Sequence, residues 1–126
     1  MRTHAINWFE IPVADFDRAK KFYEKIFDYI MPESVMGEAR MGFFIYDFQN
    51  QGRGGAIVHQ PGFHDPSLTG SLIYLNCEPD LQAVLDRVEA AGGKIEKWKD
   101  LVGENLGFWA VIHDTEGNRV ALHSMK

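Results

Sequence analysis

Residues 4–29 read HAINWFEIPVADFDRAKKFYEKIFDY, and the stretch changes period half-way. Phe9, Ile11 and Val13 alternate with Ile6, Trp8 and Glu10, as in a strand with two different faces. From Asp15 onward the apolar residues Phe16, Ala19, Tyr23, Ile26 and Phe27 recur at helical spacing, with Asp15 placed to cap the helix. Asp28 is expected to close it, being one of the few non-glycine residues that takes a left-handed conformation cheaply. Residues 70–94, GSLIYLNCEPDLQAVLDRVEAAGGK, repeat the plan. Ile73, Leu75 and Cys77 alternate with Leu72, Tyr74 and Asn76. Pro79 suits a first helical turn, Leu81, Val84, Leu85 and Val88 form the stripe, and Gly92–Gly93 stop the helix.

The two copies register. Ile11 matches Leu75 and Val13 matches Cys77 at an offset of 64, whereas helical Phe16 matches Leu81 at 65. Three short strand signals follow each helix, near PESVM, MGFFIYDF and GGAIVHQ in the first half and near IEKWKD, GFWAVIHD and NRVALHS in the second. The reading is α+β: tandem βαβββ modules forming a curved eight-stranded sheet around a pocket, with helices on the outer face. One domain over 1–126 is expected, with module one at about 1–60, a linker at about 61–69 and module two at about 70–126.

The C-terminal stretch VIHDTEGNRVALHSMK carries two histidines, an aspartate and a glutamate around a turn. DTEG suits a type I turn followed by left-handed Gly117, a common hairpin loop. That register pairs Val111 with Ala121 and Trp109 with His123. Phe108, Ala110, Ile112, Val120 and Leu122 then face the helices, and Asp114 is expected to bind turn amides. On the other face the predicted inventory is Trp8, Glu10, Phe44, Tyr46, Ile57, His59, Leu72, Tyr74, Asn76, Trp109, Ala121 and His123. So much aromatic surface is a poor match to open water and a natural lining for a concave pocket. His4 and His64 are expected to be solvated, and NQGRGG to be a loop at the pocket rim, since it precedes a strand and not a helix N-terminus.

Bulk properties exclude some classes. The 126 residues carry a net charge of −5 without a basic cluster, which argues against a nucleic-acid partner. No apolar run approaches the roughly 18 residues of a membrane span, and the N-terminus has no secretory pattern. The single cysteine, Cys77, reads as a buried, inert thiol, and a cytoplasmic location is expected.

IPVADFDRAKKFYEKIF and GFWAVIHDTEGNRVALH, with DLQAVLDRVEAAGGK between them, resemble the vicinal oxygen chelate superfamily of glyoxalase I, bleomycin-resistance proteins and extradiol dioxygenases. The EIP of the first strand is most similar to the predicted lactoylglutathione lyase-related group. The resemblance implies a divalent metal held by up to four side chains on the first and last strands of each half, acting as a Lewis acid. Those positions fall on Trp8, Ile57, Leu72 and Ala121, none of which offers an oxygen, nitrogen or sulfur donor of the kind such ions need; a one-residue slip to Ser71, Val58 or Leu122 does no better. No metal or other cofactor is therefore expected, and lactoylglutathione lyase activity is not. A relocated site on Glu10, His59 and His123 is the metal-bearing alternative. Without metal, Glu10 and His59 are the candidate acid/base pair, with Tyr74 or His123 donating to a developing oxyanion. Trp8, Phe44, Tyr46, Tyr74 and Trp109 favour a planar aromatic or amphipathic guest, and the acidic charge slightly favours a cationic one. The alternative to an enzyme is a small-molecule or antibiotic sequestering protein of the bleomycin-resistance type. The resemblance also implies a homodimer.

Overall fold

A computed structural model of the chain describes residues 2–126. Its order is β1 (Trp8–Pro12), α1 (Phe16–Phe27), β2 (Glu33–Met36), β3 (Ala39–Phe43), β4 (Gly54–His59), β5 (Tyr74–Asn76), α2 (Leu81–Val88), β6 (Lys94–Gly103), β7 (Gly107–His113) and β8 (Arg119–Ser124). This is the α+β arrangement of two βαβββ modules. The eight strands divide into two open four-stranded sheets, β1-β4-β3-β2 and β5-β8-β7-β6. Each sheet is mixed, because β1 runs parallel to β4 and β5 parallel to β8 while the other pairs are antiparallel. β1 and β5 are thus both edge strands, and a seam lies between them.

Local chemistry explains the helices. Asp15 caps α1 by accepting from the Arg18 amide at 3.1 Å, and Asp28 ends it at φ 55°. Asp80 caps α2 through the Gln82 amide at 2.9 Å, so Pro79 precedes the cap and does not sit in the first turn as the sequence suggested. Phe16, Ala19, Phe22, Tyr23 and Ile26 of α1 and Leu81, Val84, Leu85 and Val88 of α2 are buried. They join Ile11, Val13, Leu75, Cys77, Ala110, Ile112, Val120 and Leu122 in one core that belongs to both modules. Burial pushes the Cys77 thiol up to about 12.

The hairpin register of module two is as read from the sequence: Val111 opposes Ala121, Trp109 opposes His123, and Gly117 has φ 89°. Module one differs. Ile11 pairs with Ile57 while Leu75 pairs with Leu122, so the offset that is 64 on the first strands is 65 on the last. Ile57 consequently faces the helices and is fully buried with Ile11, and His59, two residues on, has the same parity. Phe44 is corrected too. β3 ends at Phe43, and Phe44 packs into the helix-side core 5.5 Å from Phe9 and 5.3 Å from Tyr23. The opposite face of module one instead presents Trp8, Met41, Phe43, Ala56 and Val58 as a small cluster of its own.

Candidate functional site

The DTEGN turn does something the sequence did not announce. Asp114 accepts from the amides of Glu116 at 2.8 Å and Asn118 at 2.9 Å, as a turn aspartate should. Its second oxygen takes the Tyr23 hydroxyl from α1 at 2.7 Å; burial, reinforced by the Asp114 charge and this bond, holds the Tyr23 phenol well above its usual range. Glu116 reaches further. Its side chain has 0 % exposure and accepts from the amides of Ala14 (3.0 Å) and Asp15 (2.7 Å), from Arg18 Nε (2.7 Å) and Nη2 (3.0 Å), and from the Thr115 hydroxyl (2.8 Å). Asn118 donates to the Pro12 carbonyl at 2.7 Å and accepts from the Ser67 amide at 3.2 Å. The turn of module two is therefore clasped onto the β1–α1 corner of module one and onto the connection between modules.

His113 and His123 have partners of their own. His113 Nε2 lies 2.6 Å from Glu96, which also accepts from Arg119 at 2.8 Å; these two bonds hold the Glu96 carboxyl below its ordinary value. His123 Nε2 lies 2.7 Å from the Leu106 carbonyl, on β8 beside Asn76 of the seam strand β5. Glu10, His59 and His123 are not brought together. Glu10 and His59 project to opposite faces of the first sheet, and the histidine beside Glu10 is His64, with 3.9 Å between Oε1 and Nε2. His64, expected in solvent, is half-buried there. Among the described residues no three His, Cys, Asp or Glu side chains gather as a metal-holding group.

The seam opens into two cavities. The larger, about 740 Å³, lies where the start of β1 meets β5. Phe9, Phe27, Tyr29, Phe44, Tyr46, Leu72, Tyr74 and Asn76 line it, with Arg53, Asp47 and Glu78 at its polar margin. Of the residues expected in the pocket it holds Phe44, Tyr46, Leu72, Tyr74 and Asn76, although Phe44 enters from the helix side. Trp8 stands 6.1 Å from Tyr46 in an edge-on contact, and Trp109 stacks on Tyr74 at 6.2 Å, so both tryptophans support the lining from behind. Ile57 and His59 contribute nothing to it. Gly54 is required where Tyr46 lies flat, because a Cβ there would occupy the phenol ring. Phe9, Phe27 and Tyr29 are absent from the inventory read from the sequence, which drew only on the face of the sheet away from the helices. Tyr29 is held above the usual phenol range by burial.

Comparison with known proteins follows the same outline. The family model of the Glyoxalase/Bleomycin resistance protein/Dioxygenase superfamily matches residues 5–122. The chain belongs to that superfamily. A glyoxylase-like domain-containing protein of Didymella fabae is 28% identical over 123 residues, covering 93% of this chain and 91% of that protein. In fold, a hypothetical protein of S. aureus superposes with a TM-score of 0.69 at 14% identity, over 98% of this chain and 95% of that one. Glyoxalase I of Zea mays gives 0.66 at 18% identity, over 93% of this chain but 43% of the maize chain, so this chain spans less than half of the maize protein.

Superfamily membership sharpens the metal question. With the observed register, the position of β4 that corresponds to Ala121 is Ala56 and not Ile57. The four implied positions are then Trp8, Ala56, Leu72 and Ala121, and their side chains are an indole and three hydrocarbons. That donor set does not fit a divalent ion.

Proposed function

We propose that this superfamily member binds a small, planar, largely apolar molecule in the aromatic cavity of the seam. The carrying observation is the lining itself: aromatic rings from β1, α1 and its exit, the β3–β4 segment and β5 converge on about 740 Å³, within the size range of small-molecule sites. Binding is favoured over acid/base turnover because the polar groups at the margin already have structural duties. Asp47 holds Asn50 through two bonds, Asn76 Oδ1 accepts from the Glu78 amide at 2.9 Å, and the Glu78 carboxylate accepts from the Met125 amide at 2.6 Å. Sequestration without chemistry is thus the leading reading. A homodimer belongs to the proposal, since Val35 and Met36 on β2 and Trp98, Leu101 and Val102 on β6 leave apolar surface exposed along edge strands.

Fluorescence titration with anilinonaphthalene sulfonate, followed by displacement with neutral planar aromatics, tests the site. Tyr46→Ala and Tyr74→Ala should each weaken binding about tenfold, in keeping with loss of one stacking partner. Unchanged affinity in both variants removes the proposal. Formation of a product that Glu10→Gln abolishes replaces sequestration with the enzyme reading. Sedimentation of the purified chain decides the dimer.

A further inference from the structure

The second cavity has a different character. It measures about 310 Å³, lies where the end of β1 meets the start of β5, and among the described residues shares only Ile73 with the aromatic one. Most of its polar groups are spoken for. Asn118 is consumed by the clasp, one Asp65 oxygen accepts from the Gly62 amide at 3.1 Å, and the Ser67 hydroxyl is paired with Thr69 at 3.0 Å. The His64 imidazole has no hydrogen-bond partner among the described residues, and three further groups are open. The Glu10 carboxylate has His64 at 3.9 Å, beyond hydrogen-bond length, and no closer partner among the described residues. The Ser71 hydroxyl has none among them. Arg119 commits Nε to Glu96 at 2.8 Å and Nη1 to the Leu68 carbonyl at 2.9 Å, which leaves Nη2.

An acceptor end and a donor end therefore line one small space. We propose that this cavity binds a small zwitterion of the α-amino-acid class, its ammonium on Glu10 and Ser71 and its carboxylate on Nη2 of Arg119. An ammonium brings three donors and no acceptor, which suits a carboxylate and a hydroxyl that lack donors. A carboxylate suits the remaining edge of a guanidinium. Glu10 and Asp65 against Arg119 give the lining one net negative charge, so a lone ammonium is attracted more than a lone carboxylate. The volume sits at the bottom of the range for small-molecule sites and leaves room for an amino-acid-sized guest. The inference stands apart from the aromatic cavity and does not depend on it.

Calorimetric titration of the whole chain with L-alanine, ethanolamine and propionate reads the site. L-alanine is expected to bind most tightly, ethanolamine less, and propionate least. Glu10→Gln should weaken alanine at least tenfold; Glu10 makes no hydrogen bond among the described residues, and an unchanged circular dichroism melt verifies that the variant is intact. Tyr74→Ala, in the other cavity, should leave alanine binding as it was. No heat from alanine at tens of millimolar overturns the proposal, as does equal binding by Glu10→Gln. Ethanolamine binding as well as alanine overturns the zwitterion assignment, and loss of alanine in Tyr74→Ala overturns the location.

Discussion

Replacing Glu116 by glutamine tests the clasp with one atom exchanged. The amide keeps a carbonyl oxygen for the Ala14 and Asp15 amides, but it loses the charge and sets an NH2 against Arg18 Nε and the Thr115 hydroxyl, both donors. Hydrogen bonds to a charged group contribute about 1.5–3 kcal/mol each. Arg18 is 51 % exposed, so water recovers part of its loss, and the lower figure applied to the two bonds lost at Oε2, from Arg18 Nε and the Thr115 hydroxyl, gives about 3 kcal/mol. With a urea slope of about 2 kcal/mol/M, the unfolding midpoint should fall by roughly 1.5 M at unchanged slope. Arg18→Ala should cost less, about 1 kcal/mol, because the two backbone amides still satisfy the buried carboxylate. Acid adds a second reading. Burial alone would raise the Glu116 carboxyl, but the bonds from Arg18, Asp15 and Thr115 outweigh it and hold the group below its ordinary 4.5. The unfolded chain then takes up the proton first, so this stabilisation is complete above about pH 4.5 and is lost as pH falls through the lower folded value. Glu116→Gln should flatten that part of the stability profile. A loss below about 1 kcal/mol, or a larger loss in Arg18→Ala, would refute the argument.

Three further outcomes are expected. Tyr23→Phe removes the donor to Asp114 Oδ2 and should cost about 1.5–3 kcal/mol in urea unfolding, with Asn118 retained as the other donor to that oxygen. Gly55→Ala would drive a Cβ into the Phe9 carbonyl oxygen and ring; a backbone obstacle cannot rotate away, and a loss of about 3 kcal/mol should appear as a lowered thermal midpoint. Cys77, 3 % exposed and with its thiol at about 12, should react with a disulfide reagent only at the rate of unfolding; fast labelling of the native chain would contradict its burial.

The sequence made the modules legible because caps and periodicity are local. Asp15, Asp28 and the helical stripes could be read one turn at a time, and so could the DTEG hairpin, whose loop length sets its register. Module one resisted for the same reason in reverse. Nothing local shows that β3 stops at Phe43 in the run GFFIY, and a single residue of slip sends Phe44, Ile57 and His59 to the other face. The 65-residue match of Phe16 with Leu81 was the available warning that the 64-residue offset did not extend to the last strands. The clasp was invisible because a glutamate in a turn ordinarily faces water. Its only trace is that Asp114, Thr115 and Glu116 supply more acceptors than a three-residue loop can use.

The shared core also decides what happens if the covalent thread between the halves is removed. Asn118 holds Ser67 and Arg119 holds Leu68, but, among the described residues, 61–65 carry no such tie to the second half. Cleavage there leaves each fragment with half of a hydrophobic interior and one side of a hydrogen-bonded latch. Neither half can satisfy Glu116 or cover Ile11 and Leu75 by itself. The two fragments should therefore fold only on meeting, which makes this duplicated chain a natural reporter for split-protein complementation.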